Sequence, residues 1–265
     1  MSMARLVPRA VKDAVHRRLH AAGYQIVPAG DPDEPVLAPD MLADAGFLRV
    51  YERAKPFTMT SPERMFALYH AVRYVVESRI PGDLVECGVW RGGSAMLCAL
   101  ALAELGDTSR ALYLYDTYEG MAEPDARDVS HAGEAARDTW AGSRRDDHVD
   151  WCYSPLDEVR RNLASTGYPE ERIHFVQGKV EETIPGTVPE AIALLRLDTD
   201  WYESTRHELE HLYPRVAPRG VVIIDDYGYW EGARQATDEY LARLDRPVLL
   251  GRIDFTGRLL VKPGG

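Results

Sequence analysis

The 265 residues are 45% hydrophobic and 28% charged, an ordinary globular composition that excludes disorder as the governing state. A net charge of -11 opposes general affinity for nucleic acid or anionic lipid, because the phosphate field repels such a surface. No apolar run approaches the roughly 18–20 residues of a membrane span, so a cytoplasmic protein without membrane or nucleic-acid partners is expected.

The first twenty residues are basic but lack a continuous apolar stretch, which makes a poor secretory signal. Their Arg-rich amphipathic pattern suits a surface helix or an oligomerisation arm, and a homo-oligomer is expected. Ser61-Pro62-Glu63-Arg64 then opens a helix, with Met65, Phe66, Tyr69, Val72 and Val76 at three- and four-residue spacing. Residues 1–80 are read as an N-terminal helical or lid segment, and residues 81–265 as the main domain.

From residue 83 short apolar runs alternate with helical patterns, the signature of a doubly wound α/β sheet with helices on both faces. Strands are predicted at 83–87, 111–116, 173–177, 192–198 and 221–226, with a last pair near 248–253 and 258–261. Helices are predicted at 93–105, 155–164, 202–213 and 233–244. Ser154 before Pro155 reads as an N-cap followed by proline at the first helical position. The short Asp254–Gly257 connection makes the last two strands antiparallel. Residues 120–153 interrupt the alternation with a polar insertion, the length of a lid or binding loop. Cys87, Cys98 and Cys152 form no CxxC pair and no zinc spacing, so reduced thiols are expected.

The run Asp83-Leu84-Val85-Glu86-Cys87-Gly88-Val89-Trp90-Arg91-Gly92-Gly93-Ser94 reads as strand, tight turn and helix start. Glycines there let a ligand approach backbone N–H groups at a helix N-terminus. The spacing is not GxGxxG, which weakens a dinucleotide reading. Asp116 ends the next strand, where a carboxylate can accept ribose hydroxyls. Glu86 at the first strand's exit suits a sulfonium or amino group better than a pyrophosphate, which favours S-adenosylmethionine over NAD. The candidate cofactor set is Glu86, Gly88, Val89, Trp90, Gly92, Ser94, Asp116, Thr117, Gly178 and Val180.

Asp198 ends the fourth strand, and Asp225 and Asp226 end the fifth; both ends open on one crevice. Converging carboxylates repel one another and take up protons unless a cation relieves them. All-oxygen ligation points to magnesium, manganese or calcium rather than zinc. Asp198, Asp225 and Asp226 are therefore the candidate metal ligands, and Asp200 is read as a cap on the following helix. A competing zinc-type motif, His207-Glu208-Leu209-Glu210-His211, has both imidazoles opposite the apolar face of its helix and is expected on the solvent side.

With these residues set out, the chain resembles the TylF/MycF family of macrolide sugar O-methyltransferases, which also includes the aminocoumarin noviose methyltransferase. The resemblance covers roughly residues 50–245 and rests on VECGVWRGGS (85–94), YLYDTYEGM (113–121), LLRLDTDWYEST (194–205) and VVIIDDYGYWEGARQATDEY (221–240). It implies a class I methyltransferase (Rossmann-like) fold with a seven-stranded sheet, and S-adenosylmethionine held by the glycine turn and Asp116. It further implies Mg2+ on Asp198, Asp225 and Asp226, and methylation of a sugar hydroxyl on a natural-product glycoside, as in antibiotic biosynthesis. The N-terminal segment and the insertion would help form a lid and an oligomer interface.

Asp198 is the expected proton acceptor as well as a ligand, with His131 a second candidate. Tyr202, Tyr227, Tyr229 and Trp230 flank the aspartates and suit either a sugar face or core packing. A metal-dependent catechol-type methyltransferase, an NAD(P)-dependent oxidoreductase and a non-catalytic nucleoside-binding protein remain the alternatives.

Overall fold

The structure, a computed structural model, describes residues 9–22 and 36–264. Contacts divide the chain into two units, Met1–Ala38 and Pro39–Gly265. In the first, Arg9–Ala21 forms helix α1, which exposes Val15 and Leu19. The remainder of the predicted basic arm, residues 1–8, lies outside the described residues. No helix among those described is long and apolar enough to cross a membrane.

In the second unit α2 (Pro39–Ala43), α3 (Ala45–Ala54) and α4 (Pro62–Glu77) precede the first strand. Asp44 caps α3 by accepting from the Phe47 N–H, and Ser61 caps α4 by accepting from that of Arg64. Each side chain satisfies one of the donors a helix start leaves unpaired. Phe47, Met65, Leu68 and Val72 bury the inner faces of these helices.

The sheet is built from β1 (Asp83–Cys87), β2 (Leu112–Asp116), β3 (Ile173–Gln177), β4 (Ile192–Leu197), β5 (Val216–Ile224), β6 (Gly251–Arg252) and β7 (Arg258–Val261). Its seven strands run in the order β3-β2-β1-β4-β5-β7-β6. The first five strands are mutually parallel, and β7 runs antiparallel to both β5 and β6. This is the predicted doubly wound α/β topology with a reversed last strand. The order turns back between β1 and β4, and their carboxyl ends open the crevice there. The fifth strand begins five residues earlier than predicted, at Val216. A register shift between Ile192 and Leu194 accommodates its exposed Pro218 and Arg219.

Helices α5 (Gly93–Glu104), α7 (Leu156–Ala164), α9 (Tyr202–Leu212) and α10 (Glu231–Leu241), with the short α8 (Val180–Thr183), complete the layers. Val85, Cys87, Leu195 and Leu197 pack with Leu209 and Leu212 of α9 on one side of the sheet. Leu84, Leu112 and Leu194 pack with Leu68 and Cys98 on the other. Alternate strand residues thus serve opposite faces, as the pleat dictates. Pro155, not Ser154, is the N-cap of α7, so that helix starts one residue later than predicted. All three cysteines are free thiols.

The insertion contains α6 (Ala136–Ser143) and is sewn to the sheet end. Ser130 forms a bridge with Trp230, and the Trp201 indole N–H donates to the Ala122 carbonyl at 2.9 Å. Trp151, Trp201 and Trp230 pack ring to ring, with centroids 5.1–6.0 Å apart. Buried Asp128 accepts from the Tyr202 N–H at 2.8 Å, so the insertion supplies the anion at the start of α9. A carboxylate suits the positive end of a helix dipole.

Candidate active site

A cavity of about 470 Å³ opens at the carboxyl ends of β1, β2, β4 and β5. Its walls come from several parts of the chain. Phe57–Thr60 and Arg64 lead into and begin α4, while Gly88, Val89 and Trp90 form the turn after β1 and Ser94 begins α5. The insertion adds Met121, Trp151 and Cys152, and the strand ends bring Asp116, Asp198, Asp200, Asp225 and Asp226.

On the turn side, Gly88 has φ +83, and a side chain there would overlap the Asp198 carbonyl oxygen. The glycine therefore serves the close approach of two strand ends. Asp116 accepts from the Val89 N–H at 2.7 Å and the Trp90 N–H at 3.1 Å through one oxygen. Its other oxygen accepts from the Tyr118 N–H at 2.7 Å. Burial pushes its carboxyl up, and these three donors pull it back. The acid at the β2 end thus fixes the shape of the glycine turn, and a carboxylate still offers further lone pairs to a ligand.

Thr117, Gly178 and Val180 line a smaller adjoining cavity that shares Gly88 and Asp116 with the large one. Two of the predicted cofactor residues face neither. Gly92, at φ +87, packs against Leu163 and Val159. Glu86 is buried behind the wall, where it accepts from Arg196 at 2.6 Å.

On the acid side the three predicted aspartates do reach one cavity, but their carboxylates have different partners. Asp225 accepts from Arg196 at 2.7 Å through one oxygen and is ion-paired with Arg64 through the other. Arg64 also pairs with Asp254 at 3.0 Å. The oxygens of Asp198, Asp200 and Asp226 lie within 4.8 Å of one another.

Asp200 is thus not a helix cap. Helix α9 has no side-chain cap from its own N-cap residue, Trp201, and the Asp200 backbone turns left-handed at φ +68. That turn sends its carboxyl into the cavity, beside Asp226 and Asp198. Sequence reading missed it because a helix start directly follows, and a cap is the usual role of an aspartate there.

Burial, followed by mutual repulsion, pushes Asp226 well above the carboxylate range. Asp198 is pushed up by burial too, against the pull of Arg196. Asp200 is pushed up to about 7 by burial and then by the charge on Asp198. One buried Asp226 oxygen has no hydrogen-bond partner among the described residues. Ionised together, these acids would carry more negative charge than their arginines neutralise, so they take up protons or a cation, and their all-oxygen donors fit a hard divalent one.

The HELEH segment is no metal site. The His207 ring meets the Ile184 carbonyl at 2.8 Å and lies tilted against that of His211, and both imidazoles are half-buried rather than on open solvent. Glu208 points the other way into the core and accepts from the Thr199 hydroxyl at 2.9 Å. His131 is exposed against Tyr229 and Phe255, outside the cavity lining. Tyr229 and Trp230 line the cavity, whereas Tyr202 bonds Glu239 and Tyr227 bonds Asp238.

Comparison with known proteins gives concordant matches. Residues 52–262 match the macrocin O-methyltransferase (TylF) family. The 8-demethyl-8-(2,3-dimethoxy-alpha-L-rhamnosyl)-tetracenomycin-C 4'-O-methyltransferase of Streptomyces olivaceus is 38% identical over 200 residues, which are 76% of this chain and 73% of that one. The demethyldecarbamoylnovobiocin O-methyltransferase of Streptomyces niveus is 34% identical over 204 residues, 77% and 75% of the two chains. The solved structure of the O-methyltransferase NovP superposes with a TM-score of 0.68 at 31% identity, covering 78% of this chain and 82% of its own.

Proposed function

The chain belongs to the macrocin O-methyltransferase (TylF) family, and from that premise we propose that it methylates a sugar hydroxyl of a glycosylated natural product. The methyl donor in this reading is S-adenosylmethionine, and a divalent cation, magnesium, assists. The observation that carries the reading is one cavity that joins a glycine turn to three carboxylates within 4.8 Å of one another.

The turn side would take the donor. Gly88, Val89, Trp90 and Ser94 offer close backbone and a small hydroxyl, and Asp116 braces the turn while presenting its remaining lone pairs to ribose hydroxyls. The acid side would take the cation, with Asp198 and Asp226 common to the ligands expected from sequence and to the clustered set. Asp225 joins them only if Arg64 turns wholly to Asp254, its second partner. When bound, the cation polarises a coordinated hydroxyl and lowers its pKa.

The chain's own residues do the rest. Trp151, Tyr229 and Trp230 shape a wall against which a sugar face can stack, and the insertion screens the reacting atoms from water. In this reading the acceptor oxygen would take the methyl group as the donor's carbon–sulfur bond breaks, and the hydroxyl proton would pass to a carboxylate. Asp198 was the acceptor expected from sequence, but a carboxylate committed to a cation is a weak base. With Asp198 and Asp226 holding the cation, Asp200 beside them in the cavity, pushed up to about 7 by burial and then by the charge on Asp198, is left free of the ion for this task. Holding the two reactants in line supplies much of the acceleration, up to about 7–11 kcal/mol in favourable cases.

The test is methyl transfer from labelled S-adenosylmethionine to a panel of rhamnosides, other deoxysugar glycosides and simple catechols, with magnesium present. Glycosides are expected to accept label and catechols to fail. Exclusive labelling of catechols would overturn the acceptor assignment.

A further inference from the structure

The cavity floor contains a cation that neither side of the proposed reaction uses. Arg196, on β4, is 3% exposed. One of its terminal nitrogens donates to Glu86 on β1 at 2.6 Å and meets Asp198 at 2.7 Å. The other donates to Asp225, just past β5, at 2.7 Å and to the Thr60 hydroxyl at 3.2 Å. One guanidinium thus joins three adjacent strand ends and the segment that closes the cavity from the α4 side.

Such a group is costly to bury and persists only when fully paired. It stays charged throughout the accessible pH range, and its planar fork fixes the direction of each bond, which a lysine ammonium cannot do. Arg196 meets the Asp198 carboxylate at 2.7 Å, and an oxygen of that carboxylate lies within 4.8 Å of oxygens of Asp200 and Asp226.

We infer that Arg196 is a positioning residue, which sets the Asp198 carboxylate for the cation and ties that acid to Glu86 beneath the donor's turn. The inference rests on the cation reading above. Arg196 touches neither reactant in this account and acts through Asp198 and Asp225.

The test is calorimetric Mn2+ binding to the purified full chain and to Arg196→Lys, which keeps the charge and loses the fork. S-adenosylhomocysteine binding and methyl-transfer kinetics are measured beside it. The expected result is Mn2+ binding weakened about tenfold or more and kcat lowered in step, because partners that orient ligands carry effects of this size. Nucleoside affinity should stay within about threefold, since the turn's own contacts are kept. Unchanged Mn2+ affinity and kcat, with only a lower melting temperature, would reduce Arg196 to a structural ion pair and overturn the inference.

Should the lysine variant fail to fold, Glu86→Gln decides, because it loosens one anchor of the same fork. Mn2+ binding two- to fivefold weaker supports the inference, and wild-type Mn2+ affinity overturns it. A wild-type chain that binds no Mn2+ at all refutes the cation reading and this inference together. Wild-type binding unmatched by any change in the variants refutes this inference alone.

Discussion

The two sides of the cavity are built on different principles. The turn side is made of backbone: Gly88 at φ +83 pressed against the Asp198 carbonyl, and two amide N–H groups braced by Asp116. The acid side is made of charge, with four aspartates at two strand ends, two arginines among them and one orphaned buried oxygen. Backbone shape tolerates almost no change of residue at its tight points yet needs no ion. A charge cluster tolerates changes of shape but depends on how its charge is balanced. Substitutions on the two sides should therefore fail in different ways.

The largest expected effect is on the acid side. Asp198→Asn should lower turnover roughly a thousandfold while S-adenosylhomocysteine affinity, followed by calorimetry, stays near wild type. Equal losses of turnover and nucleoside affinity would erase the division between the two sides. Asp200→Asn sharpens the same side. A base must be unprotonated to act, so turnover should fall as pH drops through the Asp200 pKa, at or below about 7 once a cation adjoins it. The variant should lose that limb of the kcat–pH profile along with most of its rate.

Gly88→Ala should fail in the other manner. Strain at positive φ costs about 1–3 kcal/mol, and the added carbon meets the Asp198 backbone, so melting temperature and nucleoside affinity should fall together. The smallest effect belongs to the wall both sides share. Asp128→Ala removes the buried anion that joins the insertion to α9, for a loss of about 2 kcal/mol in denaturant unfolding. The acceptor KM should rise more than kcat falls, because Met121 and Trp151 of the insertion line the cavity.

Much of this contrast was legible in the sequence. The alternation of apolar runs gave the sheet, since period-2 and period-3.6 patterns are local properties of the chain. The glycine turn and the aspartates at strand ends were visible for the same reason. Partners were not. Arg196 reads as an interruption in an apolar strand, and only the folded sheet brings Glu86, Asp198 and Asp225 around it. Asp200 reads as a cap because helix starts favour aspartate, and its left-handed turn into the cavity depends on strand ends distant in sequence. Asp128 caps a helix 74 residues away, a pairing that no local pattern encodes.

In the proposed reaction this one cavity unites a nucleoside donor with a cation-bound acceptor. The most direct measurement is the initial rate of methyl transfer to a responsive glycoside by chelator-treated enzyme, as magnesium is titrated back. Transfer should be negligible without the cation and recover saturably as it returns, with the recovery abolished in Asp198→Asn. Full transfer in the presence of chelator, unaffected by that substitution, would contradict the proposed reaction.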